Sequence, residues 1–219
     1  MHCLYNLRYV GLKELVEKRL NLKYWSVRDD ELSHRTDSIV NSERFRLLKE
    51  RAVEKKLNFN DIEIVTWLDS LYILYYAFEN IKDEHLRDEI HILQEYCIPY
   101  SWKRSDYLLV YDNKILILEF SFNKLGYNLQ YETKLQQAIG YKELLANILS
   151  KDIDIGTHTF IVQPEEDKDG YALYKTEEDS PNNKNIKALA SYIEEFFKKN
   201  AGFAMASLER ISCKADDNK

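Results

Sequence analysis

The sequence predicts a layered α/β domain, and three observations support this prediction. Two strongly apolar runs, at residues 107–111 and 115–120, flank the short polar pair Asp112-Asn113. Both runs are apolar on each face, which is typical of strands that helices cover on both sides of a sheet. The chain also has only 6 Gly and 3 Pro, too few of the residues that a turn-rich all-β protein requires.

The first third of the chain is predicted to be helical. Charged, amphipathic stretches lie at residues 12–20, 43–55 and 61–80, and Asn60 or Asp61 is a suitable N-cap for the last of them. No repeat or low-complexity linker follows residue 60. We therefore expect a helical N-terminal region, 1–60, that packs on a core domain at 61–200.

Strands dominate the middle of the chain, and helices return after it. A short β-like segment at 91–98 ends at Pro99, and the two apolar runs then form the clearest hairpin. A long helix is predicted at 131–149, a strand at 157–163, an edge strand at 171–174 and a helix at 186–199. Residues 201–219 are predicted to form a flexible tail.

The composition limits the compartment and the class of protein. Three scattered cysteines predict neither a disulfide framework nor a zinc site, so a reducing cytoplasm is expected. Residues 1–11 lack the apolar core of a targeting signal, and the apolar stretch at 67–78 is too short to span a bilayer. The net charge of −6 argues that any nucleic-acid site is local, because affinity for phosphates requires clustered positive charge.

Several familiar kinds of active site are absent from the sequence. It contains no glycine-rich phosphate loop or dinucleotide-binding turn, so nucleotide hydrolysis and dinucleotide cofactors are not indicated. The five histidines include no pair at i,i+4 spacing, and no Gly-x-Ser-x-Gly elbow occurs. Zinc hydrolase and serine hydrolase chemistry are therefore unsupported.

Two carboxylates are predicted to meet across the hairpin. If Asp112-Asn113 forms a two-residue turn, residues whose numbers sum to 225 face each other, which pairs Asp106 with Glu119. Like charges at such a position destabilise a sheet unless a cation lies between them, and carboxylate oxygens suit Mg²⁺ or Mn²⁺. The alternative is that both acids are solvated at the open end of the hairpin and have no functional role.

Further polar residues share this side of the predicted sheet. Ser121 lies two positions beyond Glu119 and so points to the same face. Gln137 and Tyr141 lie one turn apart on the following helix, where packing against the sheet is an equally good explanation for them. Trp67, on the predicted helix 61–80, is expected to anchor the core rather than to stack on a base.

These residues together resemble the PD-(D/E)XK nuclease superfamily. The similarity comprises Arg104-Ser105-Asp106, then Glu119-Phe120-Ser121 after the hairpin, then Gln137-Ala-Ile-Gly-Tyr141 on a helix, as in the RecB-like branch. A closer likeness is to the nuclease-like module that precedes superfamily-one helicases in some bacterial proteins. Its helix and strand motifs correspond here to Glu63, Trp67, Ser70 and Leu71, and to Glu95, Tyr96 and Pro99.

The resemblance implies a restriction-endonuclease-like fold, with a mixed sheet core flanked by helices, and a metal-dependent endonuclease or exonuclease. Asp106 and Glu119 would bind Mg²⁺ or Mn²⁺, and Glu63 or Glu95 would add an outer carboxylate. Positive charge for nucleic acid, DNA rather than RNA, would come from Lys103, Arg104 and Lys124. A helicase or another defence protein is the partner that the family implies.

The sequence departs from the family at Ser121, where lysine is usual. A hydroxyl cannot supply the positive charge that orients the attacking group. Lys134 falls on the same helical face as Gln137 and Tyr141 and is one candidate to replace it, although an ordinary surface lysine is the simpler interpretation. Lys124 is a second candidate. Two alternatives stay open: a catalytically silent nuclease-fold module that binds nucleic acid or a partner protein, and an interaction module that acts through its helical first third.

Overall fold

The structure of the protein is a computed structural model that describes residues 2–22, 39–122, 127–162, 165–167, 170–172, 184–198 and 208. The chain forms two compact units, each assembled from separate segments. The sheet unit comprises Met1–Tyr9, Asp83–Ile161 and Tyr192–Lys219, and the helical unit comprises Val10–Lys82 and Val162–Ser191. Residues 61–82, which the sequence assigned to the core domain, thus belong to the helical unit.

The three predicted helices of the first third are confirmed. Helix α1 spans Tyr9–Glu14 and continues as a π-helical turn at Leu15–Arg19, α2 spans Glu43–Glu54 and α3 spans Asp61–Glu79. The side chain of Asn60 caps α3 by accepting a hydrogen bond from the amide of Glu63. Such a cap satisfies one of the amides that the first turn of a helix leaves without a partner.

Helix α3 is apolar around nearly its whole circumference. Its residues from Ile64 to Tyr75 are buried with the single exception of Thr66, and Trp67 is only 4% exposed. A helix that is hydrophobic all round belongs to a protein interior. The expectation that Trp67 anchors the core is confirmed.

A five-stranded mixed sheet forms the centre of the sheet unit. Its strands β1 (Tyr5–Leu7), β2 (His91–Cys97), β3 (Arg104–Tyr111), β4 (Lys114–Phe122) and β5 (Asp154–Val162) lie in that order, and the first four pair antiparallel. At the start of β5 the amide of Asp154 donates to the carbonyl of Asn113, 2.8 Å away, just before β4 begins. Since β4 and β5 begin side by side, they run parallel.

Two helices of the sheet unit adjoin these strands. Helix α4 (Glu84–Glu89) precedes β2, and α5 (Tyr127–Ile148) joins β4 to β5. A crossover helix of this kind is the usual connection between parallel strands. The α/β class with helices flanking a mixed sheet is therefore confirmed, whereas β1 and α4 were not predicted.

The register of the β3–β4 hairpin is the one that the sequence predicts. Tyr111 pairs with Lys114 and Tyr107 with Leu118, so that paired residue numbers sum to 225. Asp112 has a φ of 56°, in the left-handed region that tight hairpin turns require and that aspartate tolerates. The two-residue turn at Asp112-Asn113 therefore sets the alignment of both strands.

Both faces of the central strands are buried, as predicted. One face packs against α5 in a continuous apolar cluster, and the other is equally shielded from solvent. The first cluster includes Leu108, Val110, Ile115, Ile117, Ala138, Tyr141, Leu145 and Leu149. On the second face Leu109, Leu116 and Leu118 are each 0% exposed.

The C-terminal elements are described in part. A small hairpin pairs β6 (Glu165–Asp167) with β7 (Gly170–Ala172), and α6 spans Lys184–Phe197. The predicted edge strand at 171–174 overlaps β7 at residues 171 and 172, and its last two residues lie outside the described part of the chain. The helix predicted at 186–199 is confirmed. The predicted tail, 201–219, lies outside the described residues except for Leu208, which is buried. In the described part of the chain, no helix has the length and apolar character needed to cross a bilayer.

Candidate active site

Two carboxylates take the place of the backbone ladder at the open end of the β3–β4 hairpin. Beyond the pair Tyr107–Leu118, the amide of Asp106 donates to Glu119 Oε1 at 3.1 Å, and the amide of Phe120 donates to Asp106 Oδ2 at 2.8 Å. Each strand therefore binds the other strand's carboxylate instead of its carbonyl. This exchange fixes Asp106 and Glu119 side by side, as the register predicts.

Glu119 is completely buried, whereas Asp106 is partly open to solvent. The side chain of Glu119 is 0% exposed and that of Asp106 is 26% exposed. The hydroxyl of Ser105 also lies 2.9 Å from Glu119 Oε1, so it can donate a second hydrogen bond to this oxygen. In the sequence Ser105 stands only between Arg104 and Asp106 of the motif, and no local pattern indicates this contact.

Burial and the nearby charge of Asp106 raise the pKa of Glu119, while Lys134 and the two hydrogen bonds act in the opposite direction. A carboxylate in a low-dielectric position disfavours its charged form unless positive charge compensates. The site would therefore be stabilised by additional positive charge. A divalent cation is one way to supply it.

Lys134 extends from α5 to both carboxylates. Its Nζ lies 3.3 Å from Asp106 Oδ2 and 3.2 Å from Glu119 Oε2. Burial disfavours the ammonium, but the charges of Asp106 and Glu119 outweigh it and hold the pKa of Lys134 above its ordinary value. Helical spacing made Lys134 one candidate for this side of the sheet, with an ordinary surface lysine as the simpler interpretation. In the structure its ammonium lies beside both carboxylates.

Gln137 and Tyr141 form the next layer along α5. Gln137 Nε2 lies 2.6 Å from the hydroxyl of Tyr141, within hydrogen-bond distance. Burial, followed by the charge of Glu119, raises the pKa of Tyr141, so its phenol is neutral at physiological pH. The ammonium of Lys103, from the loop before β3, lies 6.0 Å from the centre of the Tyr141 ring.

Ser121 is buried on β4, two positions beyond Glu119. Strand alternation directs it to the face that α5 covers. Its hydroxyl supplies no charge there, and the cation beside the carboxylates comes from the helix instead. A catalytic role for Ser121 stays a prediction.

Glu95 lies opposite Asp106 in the register of β2 and β3, between the pairs Gln94–Tyr107 and Tyr96–Ser105. Its φ of 53° interrupts the ladder at this position. The carboxylate of Glu95 forms an ion pair with Arg104, with 2.5 Å between Oε2 and Nε. Glu95 was predicted as an outer metal ligand and Arg104 as a phosphate contact, and in the structure these two residues form an ion pair with each other.

Glu63 has a structural explanation of its own. It occupies the first turn of α3 in the helical unit, and its carboxylate accepts a hydrogen bond from the amide of Asn60 at 2.8 Å. This reciprocal arrangement is a capping box. Lys124, the other predicted cation, lies outside the described residues.

The donor atoms present suit a hard divalent cation. Two carboxylates converge, and an ammonium already lies between them, which shows that positive charge is favoured at this point. Asp106 and Glu119 are the residues that would hold Mg²⁺ or Mn²⁺. Among the residues that the structure describes, no group of three or more Asp, Glu, His or Cys is arranged to bind a metal, so other ligands would be water or substrate oxygens.

Comparisons of the chain with protein-family models, with curated proteins and with solved structures found no match. The function is therefore inferred from the geometry and chemistry of the site and from its sequence motifs.

Proposed function

We propose that the protein hydrolyses phosphodiester bonds of nucleic acid, with DNA favoured, at a metal-dependent PD-(D/E)XK-like site. The observation that carries this proposal is the convergence of Asp106, Glu119 and Lys134, whose contacts are all within 3.3 Å. Two carboxylates with a neighbouring lysine are the chemical components that this nuclease family uses. The mixed sheet and its flanking helices are consistent with a restriction-endonuclease-like fold.

Each residue has a distinct task in this proposal. Asp106 and Glu119 would hold the divalent ion, which lowers the pKa of bound water and neutralises charge on the scissile phosphate. The two carboxylates themselves need no rearrangement, because backbone amides and Ser105 already bind their oxygens, whereas the Lys134 ammonium would move from between them toward the phosphate. Such preorganisation is a large part of electrostatic catalysis.

Lys134 would supply the charge that Ser121 does not. The lysine of the family motif stands on the strand two positions after the second carboxylate, and here a helix residue places its ammonium 3.2 Å from that carboxylate. In the reaction its positive charge would stabilise the phosphate oxygens, and Gln137 and Tyr141 would contribute hydrogen bonds beside it. The motif charge would thus have moved from strand to helix.

A second candidate function rests on the same ion triad. Lys134 occupies the point between the two carboxylates where a metal would bind, and its ammonium partly neutralises them. If its own cation keeps this position, the protein would be a catalytically silent module that binds nucleic acid or a partner protein. An association with a helicase or another defence protein follows from the family resemblance alone.

A nuclease assay with matched variants tests the proposal. Wild type, Glu119→Ala, Lys134→Ala and Lys142→Ala are incubated with labelled DNA and RNA, single- and double-stranded, in Mg²⁺ or Mn²⁺. Lys142 is exposed on the same helix, so its variant controls for the loss of a surface lysine. We expect the first two variants to lose about 100-fold or more of the activity. Cutting that survives Glu119→Ala would contradict the proposal.

A calorimetric titration with Mn²⁺ separates the two candidate functions. Binding by the wild type that Glu119→Ala abolishes supports the nuclease. Binding that occurs only after Lys134→Met removes the ammonium supports the silent module. If the wild type does not cut but Ser121→Lys does, the site is intact and lacks only the motif charge.

A further inference from the structure

The loop between β2 and β3 presents the most exposed large apolar side chain among the described residues. Trp102 is 104% exposed, and Tyr100 in the same loop is 63% exposed. A tryptophan has one of the largest apolar surfaces of any residue, and leaving it in water forgoes the free energy that its burial would contribute. A side chain placed this way points to a ligand that covers it.

The loop holds these rings in place by its own hydrogen bonds. The amide of Ile98 donates to the carbonyl of Lys103 at 2.9 Å, and the amide of Ser101 donates to the carbonyl of Ile98 at 3.2 Å. The amide of Lys103 donates to the hydroxyl of Ser101 at 3.1 Å. Tyr100 keeps a left-handed φ of 59° in this loop. A hydrogen-bonded loop therefore displays Trp102, so little backbone conformational entropy is lost when a ligand stacks on the ring.

The loop that carries the exposed ring leads directly to the carboxylate site. Trp102 lies four positions before Asp106 in the chain, so their Cα atoms are at most about 14 Å apart. The neighbouring Lys103 reaches toward α5, where its ammonium faces the ring of Tyr141. The loop that carries Trp102 thus also places a positive charge beside α5, the helix that supplies Lys134.

We propose that Trp102, assisted by Tyr100, stacks on an unpaired base of single-stranded nucleic acid whose backbone passes Lys103 on its way to Asp106 and Glu119. This inference deepens the proposed function, on which it rests, by naming the substrate class. In a duplex each base is already stacked on its neighbours, whereas an unpaired base offers its face to an aromatic ring.

The charge of the protein favours stacking over electrostatic binding alone. With a net charge of −6, the surface as a whole repels a polyanion, and Lys103 by itself replaces few counterions. Affinity must then come largely from contacts that do not depend on phosphate charge. Base–aromatic stacking is such a contact and is tolerant of sequence.

Binding without metal tests the inference independently of catalysis. Labelled single-stranded DNA, single-stranded RNA of the same sequence and the corresponding duplex are titrated in EDTA with wild type, Trp102→Ala and Trp102→Phe, and anisotropy is recorded. We expect Trp102→Ala to weaken single-strand binding about 5- to 100-fold and Trp102→Phe to retain most of it. The duplex should bind more weakly and be nearly insensitive to either change.

Two controls distinguish a ligand contact from a structural role. Val53→Ala truncates another exposed apolar side chain, on α2, and should leave binding unchanged. The melting temperature of Trp102→Ala should equal that of the wild type, because a fully exposed ring contributes no packing. Preference among the single strands for DNA or RNA would identify the natural form without altering the proposal.

Several results would overturn the inference. The first is wild-type binding that is too weak to measure, and the second is equal single-strand affinity for wild type and Trp102→Ala. Either result would leave a protein partner as the ligand of the loop. The third is an equal loss of affinity for duplex and single strand. Binding that depends on Trp102 in a protein that never cuts would reject the proposed hydrolysis alone. Cutting that depends on Glu119 while Trp102→Ala binds normally would reject the stacking alone.

Discussion

The two ends of the β3–β4 hairpin are built from the same two strands and yet differ in what holds them together. At the closed end, backbone groups pair strand to strand from Tyr111–Lys114 to Tyr107–Leu118, and the side chains between are apolar and buried. At the open end, the amides of Asp106 and Phe120 bind carboxylates instead. The closed end is therefore held by backbone pairing and apolar packing, whereas at the open end hydrogen bonds to carboxylates replace the backbone pairing.

This difference separates stability from function along a single strand. Apolar side chains at the closed end contribute through burial, which is favourable at any pH. Glu119 at the open end is just as buried, but its charge is costly there, and burial with the charge of Asp106 raises its pKa. Residues kept in spite of such a cost are frequent at functional sites.

Leu116→Ala should break the closed end and have the largest effect on stability. Leu116 is 0% exposed and pairs with Leu109 across the hairpin, so truncation leaves a cavity in the sheet core. We expect a loss of about 2–5 kcal/mol in the free energy of unfolding, measured by urea denaturation. The exposed Val53→Ala serves as control and should change it by less than about 0.5 kcal/mol. Equal losses would contradict the assignment of the core.

Glu119→Gln changes the open end of the hairpin, and we expect it to raise the stability of the protein rather than lower it. The raised pKa of Glu119 means that its stabilising contribution is present below the ordinary glutamate range and is lost as the pH rises through the raised value. Glutamine keeps the shape and an acceptor oxygen but does not ionise. Without metal, we expect the variant to become more stable than the wild type by about 1–3 kcal/mol as the pH rises from about 5 to about 8. A variant that is less stable at the higher pH would refute the charge cost.

His158 extends the comparison, because it is a partly buried titratable group whose effect on stability has the reverse pH dependence. It lies on β5, stacks on Tyr192 with 4.2 Å between ring centres, and burial lowers its pKa to about 4. The stabilising contribution of the neutral His158 side chain is complete above the ordinary histidine pKa, and it is lost as the pH falls toward about 4. We expect the free energy of unfolding of the wild type to fall by about 1–2 kcal/mol between about pH 7 and about pH 4 because of this residue. The His158→Phe variant should not show this part of the decrease. Parallel thermal melts of both proteins at each pH measure this difference.

Asp112→Gly should produce the smallest change. Glycine adopts the left-handed φ of 56° at this turn without steric cost, so stability should move by less than about 0.5 kcal/mol. Asp112→Val should lower it by about 1–2 kcal/mol, because a β-branched residue is strained there. Chemical denaturation of both variants is the measurement. If valine were tolerated as well as glycine, the turn would not be what sets the register.

The site was predictable where local pattern controls geometry. The turn at Asp112-Asn113 determines the register, and the register brings Asp106 beside Glu119. Helical periodicity likewise made Lys134 a candidate for the side of α5 that faces the sheet, although it did not distinguish Lys134 from a surface lysine. In each case one repeat, of two residues in a strand or 3.6 in a helix, carries the information.

Other features had no such local signal. Strand β1 has only three residues and exists because β2 offers it an edge to pair with. Ser105 contributes through a long-range contact with Glu119. Trp67 and Trp102 are chemically identical, yet one is 4% exposed and the other 104%. Burial depends on what the rest of the chain places against a residue, and a single sequence window does not contain that information.

The amino-acid sequence by itself determined the α/β class, the hairpin and its register, because alternation of apolar residues and the chemistry of a two-residue turn are local properties. Only the tertiary structure decided which ion neighbours the carboxylates, since Lys134 reaches them across 15 residues of chain from Glu119. It also decided that Arg104 pairs with Glu95 and that Trp102 is left in solvent. Charges and aromatic rings act through space, so their roles follow from the packing that brings distant segments together.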